Sequence, residues 1–246
     1  MYLDSHVHLD RYRDPEVALR DAEDHDVLCV SVTETPSHYQ EVAAKLADRP
    51  LVRVALGTHP LHAGGLSLSD LSLLDDLVRR CDFVGEVGLD GSPDGHDSLA
   101  AQRTVFERLL AHPELHWKVL TVHSRDAETE VVSDLARAGA IGVLHWYRGP
   151  LRDAERAIDA GLYFSINPAM VGTDDGRALI AALPAERILT ETDGPYTKAG
   201  RRISRPSDVR RVLGALAEQW QVEADAARLR VWQNFAELRR RAGQPI

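Results

Sequence analysis

Two histidines two positions apart, His6 and His8, lie near the start of the chain, inside the run Leu3-Asp4-Ser5-His6-Val7-His8. Side chains two apart on a β-strand share a face, so the pair could hold one metal ion; a chance pair of buried, hydrogen-bonded imidazoles is the plainer alternative. Residues of the same ligating types recur at the ends of later apolar runs. Glu86 closes Val84-Gly85-Glu86, His123 and His145 each end a β-rich run, and Asp193 follows another. Taken singly, each reads as a cap or a satisfied polar group. Together they are six groups that are costly to bury unpaired, and a shared pair of divalent ions would satisfy all of them. Four imidazoles and two carboxylates suit Zn, Mn, Co or Fe better than Mg, which prefers oxygen ligands, although Mg stays in the set. Such a pair acidifies water and orients a phosphate or carbonyl oxygen, which is the chemistry of a hydrolase. Glu86, between the two halves of the set, is the expected bridge, and Asp193 the expected general base, so both are assigned catalytic roles.

The elements that must position these residues follow from the alternation of short β-rich runs with stretches of helical period. Eight strands are expected, at residues 3–8, 27–33, 51–58, 83–88, 119–123, 141–146, 162–167 and 187–192. Most are nearly continuous in Val, Ile and Leu, as in a sheet buried on both faces. Helices are expected between them, for example at 16–24 behind Asp14-Pro15, at 71–79 behind Ser69, and at 102–110, 127–138 and 154–160, with Gly139 and Gly161 as stops. After the eighth strand come a loop at 194–206 and two helices, 209–220 and 223–241, the second expected to lie across the ring. This is the pattern of a (β/α)8 TIM barrel with an extra C-terminal helix, whose chemistry sits at the carboxyl ends of the strands. An open doubly wound sheet fits the alternation too, but no glycine-rich phosphate turn follows the first strand.

The 246 residues match the ~250 of one such barrel, and no linker or change of composition divides them, so residues 1–246 are read as one domain. With 44% hydrophobic and 27% charged residues the composition is that of a globular protein, and no apolar run reaches the ~20 residues of a membrane span. The N-terminus lacks the basic stretch and apolar core of a secretory signal, and Cys29 and Cys81 stand in no metal or redox spacing, so a cytoplasmic protein with two reduced thiols is expected. The net charge of −9 opposes a polyanionic substrate unless cations are placed locally.

A series of motifs then resembles the TatD-like metal-dependent hydrolases of the amidohydrolase superfamily. It runs Asp4-Ser5-His6-Val7-His8-Leu9-Asp10, Gly57-Thr58-His59-Pro60, Gly85-Glu86-Val87-Gly88-Leu89-Asp90, His123-Ser124-Arg125-Asp126-Ala127, His145-Trp146-Tyr147-Arg148-Gly149, Glu191-Thr192-Asp193-Gly194-Pro195 and Asn234-Phe235, nearly end to end. The resemblance implies binding of two metal ions by His6, His8, Glu86, His123, His145 and Asp193, and a deoxyribonuclease-like phosphodiesterase activity. It is narrower still with the TatD-like member of the Qat anti-phage defence cassettes, through His145-Trp146, the run from Phe164 to Met170 and that from Leu189 to Tyr196. That implies a role in antiviral defence beside companion proteins. Three departures put substrate preference in doubt: Gly91 where many members have an aromatic residue, Trp146-Tyr147-Arg148-Gly149 in place of Cys-Phe-Ser-Gly, and Ser204-Arg205-Pro206 where an Asn is usual.

For a nucleic acid substrate, Lys198, Arg201, Arg202 and Arg205 in the loop after Asp193 would form a basic rim, against the plainer reading of a solvated charged loop. Arg125 and Arg148 would contact phosphate with their planar forks, and His59 would hydrogen-bond a substrate oxygen or stand behind the ligands. Trp146 and Tyr147 are read either as stacking surfaces for a base or as packing. Three classes are carried forward: a DNA phosphodiesterase, a C–N or ester hydrolase, and an interaction subunit with little turnover. The lysine-bridged amidohydrolases are disfavoured, because Glu86 occupies the fourth strand and Lys118 begins the fifth at its wrong end.

Overall fold

The computed structural model describes residues 1–245. Its parallel strands are β1 (Tyr2–Val7), β2 (Val27–Ser31), β3 (Val52–Val54), β4 (Phe83–Gly88), β5 (Val119–His123), β6 (Gly142–His145), β7 (Tyr163–Ile166) and β8 (Ile188–Thr190). Regular ladders join β1–β2–β3 and β4 through β8 in sequence order. Two seams complete the (β/α)8 barrel. At one, Leu56 bridges Val84, with Gly85 N donating to Leu56 O at 2.8 Å. At the other, Asp193 N donates to His6 O at 2.9 Å, Thr190 Oγ1 to Leu3 O at 2.6 Å, and Thr192 N to the buried Asp4 carboxylate at 2.8 Å. Because side chains make much of the second seam, β8 ends as a ladder at Thr190, short of the expected 192. Strand β3 ends at Val54 instead of 58, where Thr33, just past β2, takes over, its Oγ1 donating to Ala55 O and accepting from Gly57 N.

Helices cover the outside: α1 (Pro15–Asp24), α2 (Pro36–Leu46), α3 (Leu68–Val78), α4 (Leu99–Leu110), α5 (Glu128–Ala138), α6 (Leu151–Asp159), α7 (Pro168–Val171), α8 (Asp174–Ala182), α9 (Val209–Trp220) and α10 (Ala224–Arg241). Asp14 caps α1, and Gly139 (φ +61°) and Gly161 (φ +80°) end α5 and α6 in the left-handed region that glycine tolerates. The start of α3 differs from the expectation of Ser69: Ser67 is the cap, its hydroxyl accepting from Asp70 N while the Asp70 carboxylate accepts from Ser67 N. That reciprocal pair brings the helix three residues earlier than its apolar pattern begins.

The interior of β1, β2 and β4 is buried on both faces, and one large apolar cluster fills the space between sheet and helices. Helix α10 lies across the amino-terminal end of the barrel, as expected. There Phe235 stacks on Phe83 at 6.1 Å, and Asn234 Nδ2 donates to both Ala185 O and Ile188 O at 2.8 Å. Each such fully buried side chain as Val231, Phe235 or Leu238 contributes about 1.5–3 kcal/mol. The opposite end is left for chemistry. Among the described residues no helix is long and apolar enough to cross a membrane.

Candidate metal centre

The carboxyl ends of β1, β4, β5, β6 and β8 converge on one point. His6 is fully buried and His8, just past β1, is 3% exposed. Their Nε2 atoms lie 3.5 and 3.2 Å from Glu86 Oε2, and 3.8 and 3.6 Å from Asp193 Oδ1. The other oxygen of Glu86, Oε1, is 2.7 Å from His123 Nδ1 and 3.0 Å from His145 Nε2. Glycine at position 85 is required for this placement, since a Cβ there would meet Thr121 Cγ2 at 2.1 Å. Asp193 takes the left-handed conformation (φ +49°), uncommon outside glycine, and its bond to His6 O holds it there.

Partners behind these groups fix their orientation. Thr121 Oγ1 lies 2.7 Å from His6 Nδ1, which leaves Nε2 facing inward. Asp90 Oδ2 lies 2.8 Å from His123 Nε2, so that ring is held between two carboxylates. The His145 ring stacks on that of His6 at 3.8 Å and 8°. Burial, reinforced by the charge of His145, lowers the affinity of His6 for a proton, and burial raises that of the Asp193 carboxyl. For Glu86 burial works in the same direction but is outweighed by the imidazoles of His59, His145 and His123, which hold it ionised.

His6 Nε2 is buried and has no hydrogen-bond partner, a state that is expensive for a polar atom and is relieved by a metal ion. Three sets of side chains have ligating atoms within 4.8 Å of one another: His6, His8 and Asp193; His6, Glu86 and His145; and His59, Glu86 and His123. All six residues expected as ligands fall within these sets. Imidazole nitrogens and carboxylate oxygens in this mixture fit a divalent transition metal.

A cleft of about 690 Å³ opens above the cluster, with His59, Arg125, Trp146, Arg148 and Tyr196 in its walls. Arg125 lies 3.7 Å from Asp94 Oδ2. The basic loop is placed differently from the expected rim: among the described residues lining the cleft, Lys198, Arg201, Arg202 and Arg205 do not occur. The loop folds into a small hairpin of β9 (Lys198–Ala199) and β10 (Arg202–Ile203), in which Arg202 makes two bonds to the Asp208 carboxylate, 2.7 and 2.8 Å. Its guanidinium is committed to the start of α9. Tyr147 is 1% exposed and donates to Pro150 O, so it is a packing residue, and only Trp146 of that pair faces the cleft.

Sequence reasoning missed Thr121, Asp90 and Glu191. Glu191, wholly buried, accepts from Trp146 N at 3.1 Å, Asn167 Nδ2 at 3.0 Å and the Ser165 hydroxyl, and so holds Trp146 in its left-handed conformation (φ +40°). Its only signal was its place two residues before Asp193.

Residues 3–240 match the model of the family described as TatD related DNase. The chain belongs to this family. As a TatD-family protein it is a metal-dependent hydrolase, and its relatives carry the corresponding names. The deoxyribonuclease TATDN3 of Homo sapiens is 29% identical over 214 residues, covering 78% of this chain and 77% of that one. The 3'-5' ssDNA/RNA exonuclease TatD of Citrobacter koseri is 29% identical over 210 residues, covering 78% and 79%. A TATDN1 homolog of Vairimorpha ceranae is 30% identical over 142 residues, and the chain spans only about half (52%) of that protein's length. Among solved structures, YJJV, the TatD homolog from Escherichia coli K12, superposes with a TM-score of 0.87 at 25% identity, covering 96% of this TatD-family chain and 97% of that one.

Proposed function

We propose that this TatD-family hydrolase is a deoxyribonuclease that uses two divalent ions to cut phosphodiester bonds. The observation that carries the reading is the placement of Glu86, with one oxygen toward His6 and His8 and the other toward His123 and His145. A carboxylate divided in this way is what a bridge between two ions requires. His6, His8 and Asp193 would complete one site, and His123 and His145 the other. When bound, such ions acidify water and neutralise charge on a phosphate.

The chain's own residues supply the rest. Asp193 lines the cleft beside Glu86, where it can take the proton of an attacking water. Arg125 and Arg148 stand in the cleft wall with guanidinium forks suited to phosphate oxygens. Trp146 offers a flat surface on which a base could stack. Lys198, Arg201, Arg202 and Arg205 contribute at most a longer-range attraction. A nucleic acid substrate is supported by the names of the relatives, a deoxyribonuclease and an exonuclease of single-stranded DNA and RNA. The resemblance to the TatD-like member of the Qat cassettes supports a cytoplasmic role in anti-phage defence beside companion proteins.

The test is hydrolysis of single- and double-stranded DNA by protein stripped with EDTA and reloaded with Mn, Zn, Co, Fe or Mg. Asp193→Asn should lower kcat by about 10²–10⁴-fold with its thermal midpoint retained. Protein that leaves all DNA intact but hydrolyses an amide or ester panel would contradict the proposal.

A further inference from the structure

We propose that His59 is a hydrogen-bond donor, through Nε2–H, to a phosphoryl oxygen of the substrate and not a ligand of either metal ion, an inference that rests on the phosphodiesterase reading above. His59 stands at the carboxyl end of the β3 segment and opens the 3-10 turn Pro60–Gly65. Its backbone is anchored, with His59 N donating to Glu34 O and His62 N to His59 O, both at 2.9 Å. Its Nδ1 accepts from Leu61 N at 3.2 Å and so caps the turn. With that lone pair engaged, it is Nε2 that bears a ring proton.

Nε2 lies 3.4 Å from Glu86 Oε1, and the side chain is 16% exposed in the cleft wall. Proximity alone would make His59 a seventh ligand, since it falls with Glu86 and His123 in one set of metal-binding geometry. The proton decides otherwise. A ligating nitrogen needs a free lone pair, which His6 offers because Thr121 engages its other nitrogen and leaves Nε2 bare. His59 is wired the opposite way. Its apparent acceptor is also committed, since Glu86 Oε1 lies 2.7 Å from His123 Nδ1 and 3.0 Å from His145 Nε2, on the side where the second ion would be held. The Nε2–H group therefore faces the cleft beside Glu86, where an anionic oxygen is the fitting partner. A fixed donor stabilises growing charge on that oxygen without reorganising.

Two substitutions separate this role from capping and from ligation. In His59→Gln the amide nitrogen can reach the position of Nε2, but the side chain no longer offers an acceptor to Leu61 N. In His59→Asn the oxygen can still accept from Leu61 N, while the nitrogen falls short of Glu86. The readouts are metal content after dialysis against Mn²⁺ and calorimetric binding of inorganic phosphate to the Mn²⁺-loaded protein. We expect both variants to hold as many ions as the wild type. His59→Gln should bind phosphate nearly as well, and His59→Asn about 10- to 100-fold more weakly. Loss of an ion in both variants, the reverse order of affinities, two variants indistinguishable from the wild type, or a wild type that binds no phosphate would each overturn the donor role. The expected order across the three proteins, with a wild type that cleaves no DNA, would leave the donor role standing and remove the deoxyribonuclease reading instead.

Discussion

Asp90 lies 2.8 Å from His123 Nε2 and accepts from Ser92 N at 2.9 Å, so its carboxylate sets the face that His123 turns toward Glu86. Burial pushes the Asp90 carboxyl up, but the bonds from His123 and Ser92 outweigh it and hold its pKa at about 2. Carboxylates behind a ligating histidine commonly govern metal affinity. Asp90→Asn should weaken one of two metal-binding steps about 10- to 100-fold and leave the other near its wild-type value, as read by calorimetric titration with Mn²⁺. Equal weakening of both steps would contradict that role. The cysteines make a contrasting prediction. Burial pushes the Cys81 thiol up to about 12 and that of Cys29 upward as well, so neither should react with a thiol reagent at pH 8 in the native protein, while both should in denaturant. The six converging side chains were readable because their types recur where strands end. Thr121, Asp90 and Glu191 were not, because each acts on a residue of another segment, Thr121 across the barrel on His6 and the other two on neighbouring strand ends, and spacing along one strand carries no record of such partners.

The strands and the last two helices could be found from apolar runs and periodicity, and their boundaries failed where side chains replaced the ladder. Asp4 shows why. Its carboxylate is buried inside an apolar strand and accepts from Thr192 N, closing a seam that hydrophobic pattern alone would assign to backbone pairing. The loop after β8 failed for a related reason: its charges suggested a rim, but Asp208 recruits Arg202 into a hairpin. Asn234 on α10 ties the helix to both the start of β8 and the turn before it. Asn234→Ala leaves two carbonyls without that donor and should cost about 1–3 kcal/mol, seen as a lower urea midpoint. Specific activity of the folded fraction should be unchanged, since the contact lies at the end of the barrel away from the cleft; a fall in activity without a fall in stability would contradict this.

An acidic molecule with a net charge of −9 must draw a polyanion to one place, and in this barrel the cations that can do so line the cleft. Replacing Arg125 and Arg148 together by Ala should flatten the salt dependence of DNA binding by about 0.7–0.9 in logarithmic slope for each lost phosphate contact. Arg201→Ala with Arg202→Ala should leave the slope unchanged; a flattening there would restore the loop as the guiding surface. The (β/α)8 fold followed from the order of its runs, whereas the distribution of charge around the mouth depended on which arginines found carboxylates. Whether Glu86 joins two ions is read most directly from metal content measured beside DNA cleavage. Wild-type protein dialysed against Mn²⁺ should retain about two ions per chain and cleave DNA. Glu86→Ala should retain fewer and lose cleavage with its fold intact. A Glu86→Ala protein that keeps the full complement of ions and still cleaves DNA would contradict the account.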